Sequence, residues 1–174
     1  MLEPSGDSID PRALLLAYLD AYRAEALRKA DVAAPLPTPW NAGELVHHLA
    51  LMERRWLVWG FAGEAVDGPW ADHDAEDRWT VPAGTTTAAL AAQLLAGGRR
   101  TREIAEAAAL TDRGATGGRF DGSTPPPTLL AILVHVLQEY ARHTGQLDVA
   151  RELTDGLVGE SASAPPSRIG TDTD

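Results

Sequence analysis

Glu139 and His143 stand four residues apart in the run Gln138-Glu139-Tyr140-Ala141-Arg142-His143-Thr144-Gly145-Gln146. On a helix, side chains at i and i+4 share one face with Cβ atoms roughly 5–6 Å apart. A carboxylate and an imidazole at that spacing can grip one metal ion. A third ligand from a facing helix would complete a facial site with positions open for water or substrate. The pair Val46-His47-His48-Leu49, in an earlier segment of helical periodicity, offers such a ligand. The same spacing also occurs in solvated or mutually satisfied pairs, so the face on which these residues lie decides between the readings.

Four segments carry helical periodicity, and no strand alternation competes with them. The first opens at Asp10-Pro11, an N-cap followed by proline at the first helical position, and runs toward Asp31 with Leu15, Leu19, Tyr22 and Ala26 inward. The second starts at Asn41, with Glu44 placed to complete a capping box. Its inward stripe is Leu45, His48, Leu49, Met52, Trp56 and Trp59. His48 lies within that stripe, whereas His47 is rotated about 100° from it. The third starts in Thr85-Thr86-Thr87 and turns Leu90, Leu94, Thr101, Ile104 and Ala108 inward. The fourth follows Pro125-Pro126-Pro127, runs to about Leu153, and puts Ile132, Val136, Glu139, His143, Leu147 and Ala150 on one face. A carboxylate and a histidine thus interrupt an apolar stripe, where leaving them unpaired costs several kcal/mol.

These elements predict an all-α four-helix bundle occupying residues 9–160, with long crossover loops at Gly63 to Gly84 and through Gly114, Gly117, Gly118 and Gly122. Loops of such length tend to cover or form sites; the first holds Trp70, His73 and Trp79, and Trp70 and Trp79 are candidates for a pocket mouth. Gly117-Gly118 reads as a turn. Residues 1–8 lack the basic flank and apolar core of a signal peptide. They and the polar, proline-broken 161–174 are expected to be disordered.

The formal net charge of -10 sets 25 acidic against 15 basic residues, which argues against nucleic-acid binding; Arg99, Arg100 and Arg102 read as a solvated helix face. No apolar run approaches the ~18 residues of a membrane helix, so the expected protein is soluble and cytoplasmic. With no cysteine in the chain, a metal must be held by nitrogen and oxygen, and thiol chemistry must use a thiol brought by a cosubstrate. Phosphate-binding loops, nucleophile elbows and dinucleotide fingerprints are absent.

Asn41 to Gly63, with His48-Leu49, Glu53-Arg54-Arg55-Trp56 and Phe61-Ala62-Gly63-Glu64, resembles the second helix of DinB-like proteins. Within them it is similar to the actinobacterial branch related to mycothiol-dependent maleylpyruvate isomerase, and a lysine-poor, arginine-, alanine- and glycine-rich composition suits a GC-rich actinomycete genome. His135 to Asp148, then Arg151-Glu152-Leu153 and Asp155-Gly156, resembles the last helix of that branch. The resemblance implies a four-helix bundle whose metal, zinc or alternatively nickel, is held by one residue of helix 2 and two of helix 4. By position these are His48, Glu139 and His143. It further implies a low-molecular-weight thiol cosubstrate, mycothiol, and S-transfer to, or isomerisation of, a small electrophilic molecule. A metal-dependent hydrolase and a non-catalytic metal- or small-molecule-binding protein are the alternatives. Homodimers are common among such proteins. The chain departs from its relatives at Pro127 to Ala131 and at Gln146, where histidine is frequent; these departures bear on the substrate rather than on the ligands. His135 is read as a donor that orients Glu139 or as a core histidine, and Arg142 as a substrate-carboxylate anchor or an exposed ion pair.

Overall fold

The computed structural model describes residues 10–31 and 36–158; the flanks expected to be disordered lie outside these. The described residues form an all-α four-helix bundle of α1 (Pro11–Ala30), α2 (Ala42–Arg54), α3 (Thr87–Ala107) and α4 (Leu129–Asp155), with no strand among them. Each helix begins where a side chain can satisfy its unpaired amides. Asp10 accepts from Arg12 N at 3.0 Å ahead of Pro11, and Thr86 and Thr128 accept from Ala89 N and Ala131 N at 3.1 and 3.3 Å. The Asn41–Glu44 capping box forms in both directions, at 3.0 and 2.7 Å. Such caps are worth about 1 kcal/mol each. α4 stops at Gly156, whose φ of 73° is a left-handed position that favours glycine.

α1 packs chiefly on α4, and α2 on α3. The core follows the expected stripes through Leu19, Ala26, Leu45, Leu49, Met52, Leu90, Leu94, Ile104, Ile132, Val136 and Leu147. Two stripes differ from expectation. In α1 the buried positions are Leu16, Leu19, Arg23, Glu25, Ala26 and Lys29, with Leu15 and Tyr22 only partly covered. The cause is Glu53 of α2, 1% exposed, which draws Arg23 inward. The Glu53 carboxylate also accepts from Thr101 of α3 and, at 2.7 Å, from the Tyr140 hydroxyl of α4. One buried carboxylate therefore ties together all four helices.

The second difference lies at the end of α2. Without a break it continues into a π-helical turn, Arg55–Phe61, where Ala62 N donates to the Leu57 carbonyl five residues back at 2.9 Å. The wider turn changes which side chains face the core, so Leu57 is fully buried while Trp56 and Trp59 are half-buried. Such turns are rare and recur beside functional sites.

Candidate metal centre

His48 projects from α2 toward Glu139 and His143 on one turn of α4. One potential ligand atom from each of the three lies within 4.8 Å of the others. The His48 and His143 rings meet edge to face, with centroids 4.9 Å apart. His143 Nε2 is 3.2 Å from Glu139 Oε2. His48 and His143 are buried and Glu139 is half-buried.

The hydrogen bonds behind these residues orient their rings. His48 Nδ1 is 2.8 Å from Oδ2 of Asp72, a fully buried carboxylate. Burial raises the proton affinity of Asp72, but hydrogen bonds from His48 and Arg55 and the charge of Arg55 outweigh it, holding the group well below the usual carboxylate range. An ionised carboxylate only accepts, so His48 Nδ1 donates, which leaves Nε2 as the nitrogen that can offer a lone pair. His143 Nδ1 faces Gln146 Oε1 at 2.9 Å; a proton on Nδ1 there would turn the Nε2 lone pair toward Glu139, as a cation held between the two requires. Burial holds the His143 imidazole below its ordinary 6.5, and the nearby His48 and Arg142 add to this against the opposing pull of Gln146 and Glu139. Two imidazole nitrogens and a carboxylate oxygen thus converge. That donor set fits a divalent cation that accepts nitrogen and oxygen, zinc or nickel among them.

A second acidic–imidazole group, His48, Asp72 and His73, shares one member with the first. It is the poorer cradle. Arg55 Nη1 already sits 2.6 Å from Asp72 Oδ1, so an ion there would face a guanidinium. His73 Nδ1 lies 3.2 Å from Asp72 Oδ1 yet is not angled to hydrogen-bond it. Asp72 is better described as the group that orients His48.

Asp72 reaches His48 on a tight hairpin. Thr80 N donates to the Asp72 carbonyl at 2.9 Å, and Asp74 N to the Arg78 carbonyl at 2.9 Å. The Asp74 side chain closes the turn by accepting from Glu76 N and Arg78 N at 3.0 and 2.9 Å. The returning arm of the hairpin lays Trp79 flat on His48, 4.5 Å between centroids with planes 21° apart, and edge-on to His143 at 5.1 Å. An indole over both imidazoles shields them from water on that side.

Of the expected pocket-mouth tryptophans, Trp79 therefore belongs to the site, while Trp70 is 52% exposed under the Arg55 guanidinium. His135 packs on Trp56 at 4.2 Å, and its Nε2 is 3.7 Å from Glu139 Oε1, beyond hydrogen-bonding reach. His47 points away to Gln93 of α3, at 3.2 Å, and Arg142 is exposed. Arg100 pairs with Glu64 and Glu103, and Arg102 with Asp20 and Glu106, as a solvated face would. A cavity of about 440 Å³ between Leu27, Val46 and Leu90 shares no residue with the three-residue site. Asp72 and Trp79 are the residues that periodicity missed. Their only local signal is the Asp74-Ala75-Glu76-Asp77-Arg78 stretch, an aspartate able to close its own turn.

No helix among the described residues is long and apolar enough to cross a membrane. No curated protein and no solved structure matches the chain. A family model described as mycothiol-S-transferase matches residues 14–156, a span that takes in the π turn, the Asp72–Trp79 hairpin and nearly all of the four helices, and the chain accordingly belongs to the mycothiol-S-transferase family.

Proposed function

We propose that the protein is a cytoplasmic, metal-dependent enzyme that joins a low-molecular-weight thiol, mycothiol, to a small electrophilic molecule, with His48, Glu139 and His143 as the metal ligands. The observation that carries this reading is the convergence of two imidazole nitrogens and a carboxylate, in a chain that has no thiol of its own and belongs to a thiol-transfer family. A divalent ion, zinc or nickel, would supply the positive charge that turns an incoming thiol into a thiolate near neutral pH.

The chain's own residues do the rest. Asp72 keeps the proton on His48 Nδ1, so that Nε2 stays a lone-pair donor. Gln146 does the same for His143. Glu139 Oε1, not engaged by His143, is placed to take the proton that leaves the thiol sulfur. Trp79 excludes water from one side of the rings, which strengthens each charge interaction there. The sulfur lone pair then forms a C–S bond with the electrophile, and the proton held on Glu139 returns to the adduct or to the departing group. Addition followed by elimination of the same thiol would give an isomer instead.

Metal content by plasma mass spectrometry, run beside a mycothiol-conjugation assay on wild type, His48→Ala and Glu139→Ala, tests the reading. We expect about one divalent ion per chain in the wild type only, and conjugation only in the wild type. Full conjugation by His48→Ala would refute the site. Turnover at an unchanged rate with thiol omitted would refute thiol transfer and leave hydrolysis.

A further inference from the structure

The second long connection, residues 108–128, does more than link α3 to α4. It lies directly on the π turn, and glycines make the approach possible. A Cβ at Gly118 would stand 2.7 Å from the Trp59 carbonyl oxygen, and one at Gly63 would stand 2.7 Å from Ala115 Cβ. Ala115 N donates to the Phe61 carbonyl at 3.0 Å, and Gly117 N to the Phe120 carbonyl at 2.9 Å. This docking fixes Arg119. Its guanidinium carbon lies 4.0 Å from the centre of the Trp56 ring and 5.4 Å from that of Trp70. Trp56 also carries His135, the histidine beside Glu139. Arg119 is therefore one aromatic ring removed from the neighbours of the metal ligands.

Arg119 is half-buried and has no hydrogen-bonding or ion-pairing partner among the described residues. Its nearest charged influence is another cation, Arg55, which together with burial lowers its proton affinity. Arg55, by contrast, holds Asp72, and Arg100 and Arg102 hold carboxylates at the surface. A guanidinium fixed on two indoles, beside a like charge and without an anion, is left short of one counter-charge, and its planar fork fits a carboxylate in two-point contact.

We propose that Arg119, walled by Trp56 and Trp70, binds a carboxylate carried by the electrophile that reacts at the His48, Glu139 and His143 site. The proposal rests on the thiol-transfer reading above for its reaction, but the contact itself does not require turnover.

Monoethyl fumarate and diethyl fumarate separate the charged from the neutral electrophile with the thiol held constant. In either addition the sulfur forms a bond to one alkene carbon. The π electrons move to the other, which takes the proton the thiol gave up, so no further reactant is needed. With zinc-supplied full-length protein and mycothiol, Arg119→Gln should raise KM for monoethyl fumarate about tenfold or more, with kcat nearly unchanged. Arg119→Lys should fall between, and diethyl fumarate should be handled alike by all three. Without thiol, monoethyl fumarate should quench tryptophan fluorescence saturably, with about tenfold weaker binding in Arg119→Gln. Should neither ester turn over in the wild type, the thiol-transfer reading fails while the fluorescence titration still decides this one. Equal binding of monoethyl fumarate by wild type and Arg119→Gln, or equal losses for both esters, would overturn it.

Discussion

Replacing Asp72 by asparagine changes one atom and should unmake the proposed metal site without touching a proposed ligand. Asp72 is fully buried and accepts from two donors at once, His48 Nδ1 at 2.8 Å and Arg55 Nη1 at 2.6 Å. An asparagine has one acceptor oxygen and an amide that can only donate. The charged guanidinium is the stronger claimant on the oxygen, which leaves the NH2 group facing His48 Nδ1. The imidazole then relieves the donor–donor clash by moving its proton to Nε2, the nitrogen needed for coordination. Losing an orienting partner of this kind weakens metal binding by about 10–100-fold, or roughly 1.4–2.7 kcal/mol. Arg55, itself 4% exposed, also loses its counter-charge, and breaking a buried pair costs about 3–5 kcal/mol at most. Asparagine keeps one hydrogen bond to Arg55, so the loss of stability should be smaller and the fold should persist. Zinc competition against a chromophoric chelator gives the affinity, nitrogen NMR of the imidazoles gives the tautomer, and circular dichroism checks the fold. A folded Asp72→Asn protein that binds zinc as tightly as the wild type would refute the assignment of His48 as a ligand oriented by Asp72.

Two further outcomes test the scaffold. Glu53→Gln places an NH2 group among the donors of Arg23, Thr101 and Tyr140; it should cost about 3–5 kcal/mol and lower the calorimetric midpoint by roughly 6–20 °C, and a shift below about 3 °C would contradict the four-helix tie. Burial raises the proton affinity of Glu25, but Arg28 and Lys29 outweigh it and set the group below its ordinary 4.5. Its stabilisation is then complete above that value and is lost as pH falls through the lower folded-state value, because the unfolded chain binds the proton first. The urea midpoint should decline as pH drops below 4.5, and the decline should be shallower in Glu25→Gln; identical pH profiles would exclude Glu25 as a source.

The pattern of success and failure in reading the sequence has a physical origin. Caps are local, so Asp10, Asn41 and the Thr85-Thr86-Thr87 run announce themselves within four residues of chain. Helical period is nearly as local. With Asn41 fixing the start of α2, the facing of His48 follows, and Glu139 and His143 share a face by their spacing alone. Asp72 is legible by neither route. Its role depends on where a long connection returns in space, and nothing periodic encodes that. Arg23 and Tyr140 fail for the opposite reason. Each lies on a well-read helix, but the force that turns it inward is a carboxylate on another helix. Tyr22 looks like the better core residue until Glu53 is placed. Gly117-Gly118 reads as a turn because the purpose of Gly118, close approach to Trp59 of the π turn, is tertiary.

The Glu53 tie also bears on why the site holds together. Replacing buried ionic groups with well-packed apolar ones is often neutral or stabilising, so stability alone does not account for a carboxylate at the centre of this bundle. Register offers an account. Glu53 lies on the helix that carries His48, and its partner Tyr140 stands between Glu139 and His143 on α4. A slip of one residue turns a helix by about 100°, enough to aim His48 away from α4. Apolar stripes resist that slip weakly, since leucines and isoleucines accept many neighbours at small cost. A carboxylate that must meet a guanidinium and two hydroxyls accepts very few. The arrangement that satisfies Glu53 also brings the atoms of His48, Glu139 and His143 within 4.8 Å of one another, so the polar centre of the bundle and the convergence of the proposed ligands are two consequences of one helix register.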